Sequence, residues 1–365
     1  MTSDHPFPFS EYAPAPNAQK PREDPDLPPI SVPSPDRIRL LLTQPVTQAQ
    51  VRLFQKLDHL YDCRFRSTQH PQISSDLDGE PLSPADLTWA QVIVGNPPAA
   101  LLSDCPNLRW LQICSAGVEQ YVRPGVLPAQ VQLTNATGAY GLAISEYMMG
   151  VMLSIQKKLH LYRDAQQHRV WQSLGQVRSV YQSTVLVVGL GDIGSEFAAR
   201  CRAMGAHVIG LRRRLAITPN CVDEVYLTED LDKVLPLADV VALTLPITPQ
   251  TIGILSRERI DAMKQDAILL NVGRGTLIDT KALCDALARG HLMGAALDVT
   301  DPEPLPKDHP LWRFEQVILT PHVSGSNHLQ ETEERISRII QDNLIRFAAK
   351  IPLRNLVDLQ AGYTK

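Results

Sequence analysis

Residues 184–204 read TVLVVGLGDIGSEFAARCRAM. Thr184–Val188 is a short, continuously apolar run of the length of a buried strand. It passes directly into Gly189-Leu-Gly191-Asp192-Ile193-Gly194, and a helical pattern at 195–204 follows. A glycine string set between a strand and a helix is the turn that cradles the pyrophosphate of a dinucleotide. Gly189 is expected to allow the tight turn, Gly191 to let the backbone approach the anion, and Gly194 to let helix and strand pack closely. The helix N-terminus offers unpaired N–H groups and the positive end of its dipole. Asp192 and Ile193, inside the same loop, are assigned to the cofactor with the glycines.

The next apolar run, 207–211, ends in Arg212-Arg213-Arg214. A site for NAD places Asp or Glu about 20 residues beyond the glycines, where it accepts from the ribose 2′-OH. No carboxylate stands here. A guanidinium binds a phosphate bidentately, so NADP(H) is expected to be preferred, with NAD(H) possible and Arg212 and Arg213 as the contacts. A solvated basic turn is the alternative.

Outward from this stretch, short apolar runs alternate with helical patterns. Upstream runs lie at Ile38–Leu42, 91–94 and 108–113, with a helical pattern at 48–60; downstream runs lie at Val240–Leu243, Ala267–Asn271, 294–298 and 317–320. Residues 143–167 form one long helical pattern, and 331–348 an amphipathic one. This alternation predicts an α/β protein with two Rossmann-like parallel-sheet domains, as a length of 365 residues also suggests. Residues 1–35 hold ten of the 29 prolines and are expected to be an extended or disordered tail.

Composition narrows the function classes. Thirty-five basic and 39 acidic residues give a net charge of −4, so no global positive field exists to hold nucleic acid or an anionic membrane. No apolar run reaches the roughly 18 residues of a membrane-spanning helix. Six cysteines are scattered without a C-x-x-C pair or a Cys/His cluster, which argues against a metal site and a disulfide scaffold and suits a reducing, cytoplasmic setting.

Three further apolar runs end in polar residues: Asn271-Val272-Gly-Arg274, then Asp298-Val-Thr-Asp-Pro-Glu303, then Thr320-Pro-His322. Ligands of open α/β sheets sit outside the carboxyl ends of the strands. Arg274, Glu303 and His322 are therefore expected to converge beside a nicotinamide. Reduction of a 2-oxo acid needs a cation for the carboxylate, a proton donor for the carbonyl oxygen and a hydride source. Arg274 suits the first role and His322 the second, with Glu303 stabilising the imidazolium. Spacing alone leaves open a turn-capping Arg274, a solvated Glu303 and a satisfied turn His322.

With these motifs and those at 115–118 (SAGV) and 139–146 (AYGLAISE), residues 37–363 resemble the D-isomer-specific 2-hydroxyacid dehydrogenase family. The resemblance implies reduction of a small 2-oxo acid, of the glyoxylate or hydroxypyruvate kind, to its D-2-hydroxy acid. Arg274 would then bind the carboxylate together with the amides of Ala116, Gly117 and Val118. His322 would be the acid/base and Glu303 its partner. Asp298 would lie near the nicotinamide carboxamide, and Leu245, Pro246 and Val272 would line the cofactor cleft. It also implies a discontinuous substrate domain (36–139 with 326–365), a cofactor domain at 140–325, and a homodimer formed through the region from 143. Phosphoglycerate and phosphonate dehydrogenases are rivals within this class; for the first, Arg64, Arg66 or Arg123 would be the candidates to meet a substrate phosphate. A nucleotide-sensing corepressor-like scaffold is the rival from another class, favoured only by the Pro-rich tail.

Overall fold

The computed structural model describes residues 37–44, 54, 56–67, 80–214, 219–325, 329–360 and 362–364. The expected tail at 1–35 and most of the helix expected at 48–60 lie outside them. All but the last two of the described strands form two parallel sheets, the core of two α/β domains. The first sheet runs in the order β3 (Glu80–Pro81), β2 (Tyr61–Ser67), β1 (Ile38–Leu42), β4 (Val92–Val94), β5 (Trp110–Gln112), β6 (Gln132–Thr134). The second runs β13 (Val317–Leu319), β12 (Leu292–Leu297), β11 (Ala267–Asn271), β10 (Val240–Leu243), β7 (Thr184–Val188), β8 (His207–Arg212), β9 (Glu224–Leu227).

The central strands of the second sheet are apolar throughout because helices cover both faces. Val185 to Val188 and Val240 to Leu243 are wholly buried. Val188 stands opposite both Leu243 and Leu211, so β7 is the central strand at which the strand order reverses. A crevice opens at such a switch point, outside the carboxyl ends of β7 and β10.

Helix Gln330–Ala348 returns the chain to the first sheet. Ile336, Ile340 and Leu344 are buried, the Phe347 ring stacks on Trp110 at 5.1 Å, and the Tyr61 hydroxyl donates to the Leu344 carbonyl at 2.6 Å. Asn343 Nδ2 donates to Gln112 Oε1 at 2.8 Å. The first domain is therefore built from two separated stretches. Trp110 is the largest fully buried side chain among the described residues and donates its indole N–H to Thr134 Oγ1 at 2.8 Å; removing that side chain would cost about 3–5 kcal/mol.

The region 143–167 is a correction. It forms two helices, Gly141–Gln156 and Leu159–Gln167, because Lys158 adopts φ +58° and breaks the ladder. Both lysine ammonium groups at the break cross to carbonyls of the following segment, Lys157 to Arg178 and Lys158 to Leu174. A final antiparallel pair, β14 (Val357–Asp358) with β15 (Tyr363–Thr364), closes the chain. No helix among the described residues is long and apolar enough to cross a membrane.

Candidate active site

The crevice at the switch point is a cleft of ≈ 260 Å³. One wall carries Gly191, Asp192 and Ile193 after β7, with Leu245 and Pro246 after β10, and Val272 and Arg274 after β11. Ala116, Gly117 and Val118, from the loop after β5, form the opposite wall. The residues expected in the glycine loop, in the cofactor cleft and in the 116–118 turn thus line one cleft.

The glycine loop has the geometry a dinucleotide needs. Gly189 has φ +110°, which an L side chain rarely adopts, and a Cβ at Gly194 would run into the Gly189 carbonyl oxygen. A Cβ on Gly191 would meet nothing within 4 Å, which leaves open space in front of the first turn of helix Asp192–Ala203. These residues fit a pyrophosphate. The Asp192 carboxylate accepts from the Gly141 N–H at 2.8 Å and so ties the start of the crossover helix, Gly141–Gln156, to the loop. Burial raises its pKa.

Arg212 ends β8 beside this loop, since the Gly189 N–H donates to the Leu211 carbonyl at 3.1 Å. The exposed Arg213 guanidinium lies 4.1 Å from the ring centre of Tyr363, which together with Gly362 also lines the cleft.

Arg274 is presented by a turn that the buried Asn271 folds. Its Nδ2 donates to the Arg274 carbonyl at 2.9 Å and its Oδ1 accepts from the Gly273 N–H at 3.0 Å. The guanidinium does not stand free: it pairs with Glu119, at 2.9 Å from Nε and 2.8 Å from Nη2. Opposite it, Ser115 Oγ donates to the Gly117 carbonyl and Asn135 Nδ2 to the Ala116 carbonyl, which fixes the 116–118 turn.

His322 and Glu303 meet at 2.7 Å, through Nδ1 and Oε1, with side chains 46% and 43% exposed. A carboxylate only accepts, so Nδ1 carries the hydrogen, and Nε2 has no hydrogen-bond partner among the described residues. Both residues come from the ends of neighbouring strands, Glu303 beyond β12 and His322 beyond β13. The Arg274 turn abuts the same region, because a Cβ on Gly275 would run into the Thr300 backbone. Neither His322 nor Glu303 lines the cleft around Arg274. The structure therefore brings the candidates together as two pairs on adjacent strand ends, Arg274 with the 116–118 turn and His322 with Glu303.

Asp298 is 1% exposed and serves the His322 loop. It accepts from Thr320 Oγ1 at 2.6 Å, the Val323 N–H at 2.9 Å, the Ser324 N–H at 3.0 Å and Ser324 Oγ. His322 itself has φ +54°, a left-handed conformation that costs energy in any residue but glycine. Its N–H donates to the Asp298 carbonyl at 2.8 Å, so strand end and carboxylate together hold the turn. Tyr147, from the crossover helix, extends the network with its hydroxyl 2.6 Å from Thr320 Oγ1; burial pushes its pKa up to about 12 and keeps it a neutral donor.

Of the cations considered for a substrate phosphate, Arg64 and Arg66 are committed to Asp86 at 3.2 and 2.8 Å. Arg123 is exposed, and none of the three lines the cleft. Sequence reasoning missed Glu119, Tyr147 and Tyr363. Glu119 directly follows the motif at 115–118, but no pattern marked it as a partner of a residue 155 positions away.

Residues 149–324 match the family model described as D-isomer specific 2-hydroxyacid dehydrogenase, NAD binding domain. The chain is 30% identical to a glyoxylate reductase of Thermofilum pendens over 68% of its own length and 74% of the relative's. It is also 30% identical to a D-3-phosphoglycerate dehydrogenase of Methanocaldococcus jannaschii, over 71% of its length but only 49% of that relative's. A D-isomer specific 2-hydroxyacid dehydrogenase family protein from Aeromonas salmonicida superposes with a TM-score of 0.74 at 32% identity, covering 89% of this chain and 100% of that one. A D-isomer specific 2-hydroxyacid dehydrogenase from Xanthobacter autotrophicus, solved with NADPH and MES, gives 0.75 at 26% identity over 90% and 100%.

Proposed function

This chain belongs to the D-isomer specific 2-hydroxyacid dehydrogenase family, and we propose that it reduces a small 2-oxo acid of the glyoxylate or hydroxypyruvate kind to the D-2-hydroxy acid, with NADP(H) preferred over NAD(H). The observation that carries the reading is the His322–Glu303 pair at 2.7 Å, with no partner on Nε2 among the described residues, on the strand end next to Arg274. A bound reduced nicotinamide supplies the hydride that goes to C2. Arg274 and the 116–118 turn hold the substrate carboxylate and so orient the carbonyl. His322 holds a proton on Nε2 and delivers it to the carbonyl oxygen, while Glu303, accepting at Nδ1, stabilises the charged ring and fixes its orientation. Asp298 keeps the His322 turn in its left-handed conformation.

Arg212 and Arg213 supply the 2′-phosphate site, supported by the missing acid after β8 and by the contact of Arg213 with Tyr363, which lines the cleft. The NADPH held by the Xanthobacter relative points the same way. Residues 36–139 with 326–365 form the substrate domain and 140–325 the cofactor domain. Two copies pair through the region after the crossover helix, where Trp171 is fully exposed with Val170 and Val177 nearby in the chain. Six free cysteines suit the cytoplasm.

The test is NADPH oxidation against a panel of glyoxylate, hydroxypyruvate, pyruvate, bulkier 2-oxo acids and 3-phosphohydroxypyruvate, with NADH run in parallel. Turnover of the small 2-oxo acids with NADPH is expected. Preference for the phosphorylated acid, or for NADH, would overturn the corresponding half of the reading.

A further inference from the structure

Arg274 reaches the cleft already holding a carboxylate. Its Nε–H and Nη2–H both converge on Glu119 Oε1, at 2.9 and 2.8 Å, and Nη1–H is tied to the Gly273 carbonyl at 2.7 Å. The second oxygen of Glu119 lies over the opposite turn: a Cβ built on Gly117 would stand 2.8 Å from Oε2 and would run into Arg274 Nη2. The Glu119 carboxylate thus lies beside the guanidinium fork, and both groups lie against the 116–118 turn at Gly117. Under the proposed function, that is where the carboxylate of the substrate belongs.

We propose that Glu119 is a built-in stand-in for the substrate carboxylate, occupying the Arg274 fork and swinging aside when a 2-oxo acid binds. The inference rests on Arg274 being the carboxylate clamp. Both partners are part-exposed, with side chains 29% and 37% accessible, so the pair is weak enough to open. A tethered competitor acts at a high effective concentration. A simple carboxylate offers Arg274 nothing that Glu119 does not already offer, and is rejected. A 2-oxo acid adds contacts through its carbonyl oxygen and displaces the stand-in. Glu119 therefore sets selectivity through competition, acting on Arg274 without touching the reacting atoms.

The experiment compares wild type with Glu119→Gln and Glu119→Ala, the second because a glutamine oxygen still accepts from Arg274. Steady-state kinetics with glyoxylate and NADPH are paired with calorimetric titration of oxamate, a non-reducible 2-oxo acid analogue, and of acetate into enzyme saturated with NADP⁺. Glu119→Ala is expected to lower the KM for glyoxylate and the Kd for oxamate by about threefold to tenfold. Acetate should become a measurable ligand, and the KM for NADPH should not move. The gain should vanish when Arg274→Met is added, since the competitor then has nothing to occupy. An unchanged or raised KM in variants with wild-type thermal midpoints would overturn the proposal, a raised value meaning that Glu119 merely props Arg274. If wild type reduces no 2-oxo acid, the functional reading fails, while the oxamate and acetate titrations still decide the role of Glu119.

Discussion

Replacing Asp298 by asparagine probes the support beneath the proposed proton donor. The wild-type carboxylate accepts four hydrogen bonds, two at each oxygen, from Thr320, Val323 and Ser324. An asparagine keeps one accepting edge and turns an NH₂ group toward the donors on the other. Two bonds to a charged acceptor are lost, each worth roughly 1.5–3 kcal/mol. Release of the left-handed His322 returns roughly 1–3 kcal/mol, which favours the relaxed turn. Both contributions act against the native turn and sum to about 4–9 kcal/mol; since about 2 kcal/mol already corresponds to 30-fold, kcat is expected to fall by about 30-fold or more. Both oxygens are engaged within the chain, so cofactor affinity should change far less than kcat. Stopped-flow NADPH oxidation with glyoxylate, alongside cofactor binding by fluorescence, reads both. A kcat within about threefold of wild type in a protein of unchanged thermal midpoint would refute the reasoning, because it would show that the turn holds without its anchor.

The remaining predictions address cofactor choice, assembly and acid stability. Replacing Arg212 and Arg213 together by alanine should raise the KM for NADPH by about tenfold or more while moving that for NADH much less; equal weakening of both would place the guanidinium groups outside the 2′-phosphate site. Trp171→Glu should shift the sedimentation of the protein from dimer to monomer, and an unaltered profile would remove this surface from the interface. Asp86 is buried, which raises its pKa, but hydrogen bonds from Arg66, Ser83 and Arg64 outweigh this and hold it at about 2. A depressed carboxylate stabilises the fold above its unfolded pKa and loses that contribution as pH falls through the folded value. The stability gap between wild type and Asp86→Asn should therefore shrink by about 2 kcal/mol between pH 5 and pH 2, measured by urea unfolding. A gap independent of pH would contradict the assignment.

The second domain was legible because its strands are short apolar runs and because Gly189, at φ +110°, and Gly194 stand where the backbone leaves no room for a side chain. Gly194 shows this most clearly, since any side chain there would strike Gly189. The first domain was harder to read. Tyr61–Ser67 alternates Tyr61, Cys63 and Phe65 with Asp62, Arg64 and Arg66, a period-two signal diluted by its charges. The break at Lys158 left no trace in the apolar spacing, because it depends on lysine contacts to carbonyls that later chain brings into reach. Arg274, His322 and Glu303 were visible as polar residues closing apolar runs. Glu119 and Tyr147 were not, since each acquires its role only when two distant stretches fold against each other.

The central claim is that His322 delivers the proton to the carbonyl oxygen. Its most direct test is the rate of NADPH oxidation with glyoxylate in His322→Gln, measured in a preparation whose NADPH affinity is shown to match wild type. A fall in kcat of about 10²–10⁴ is predicted. Turnover at the wild-type rate would contradict the account.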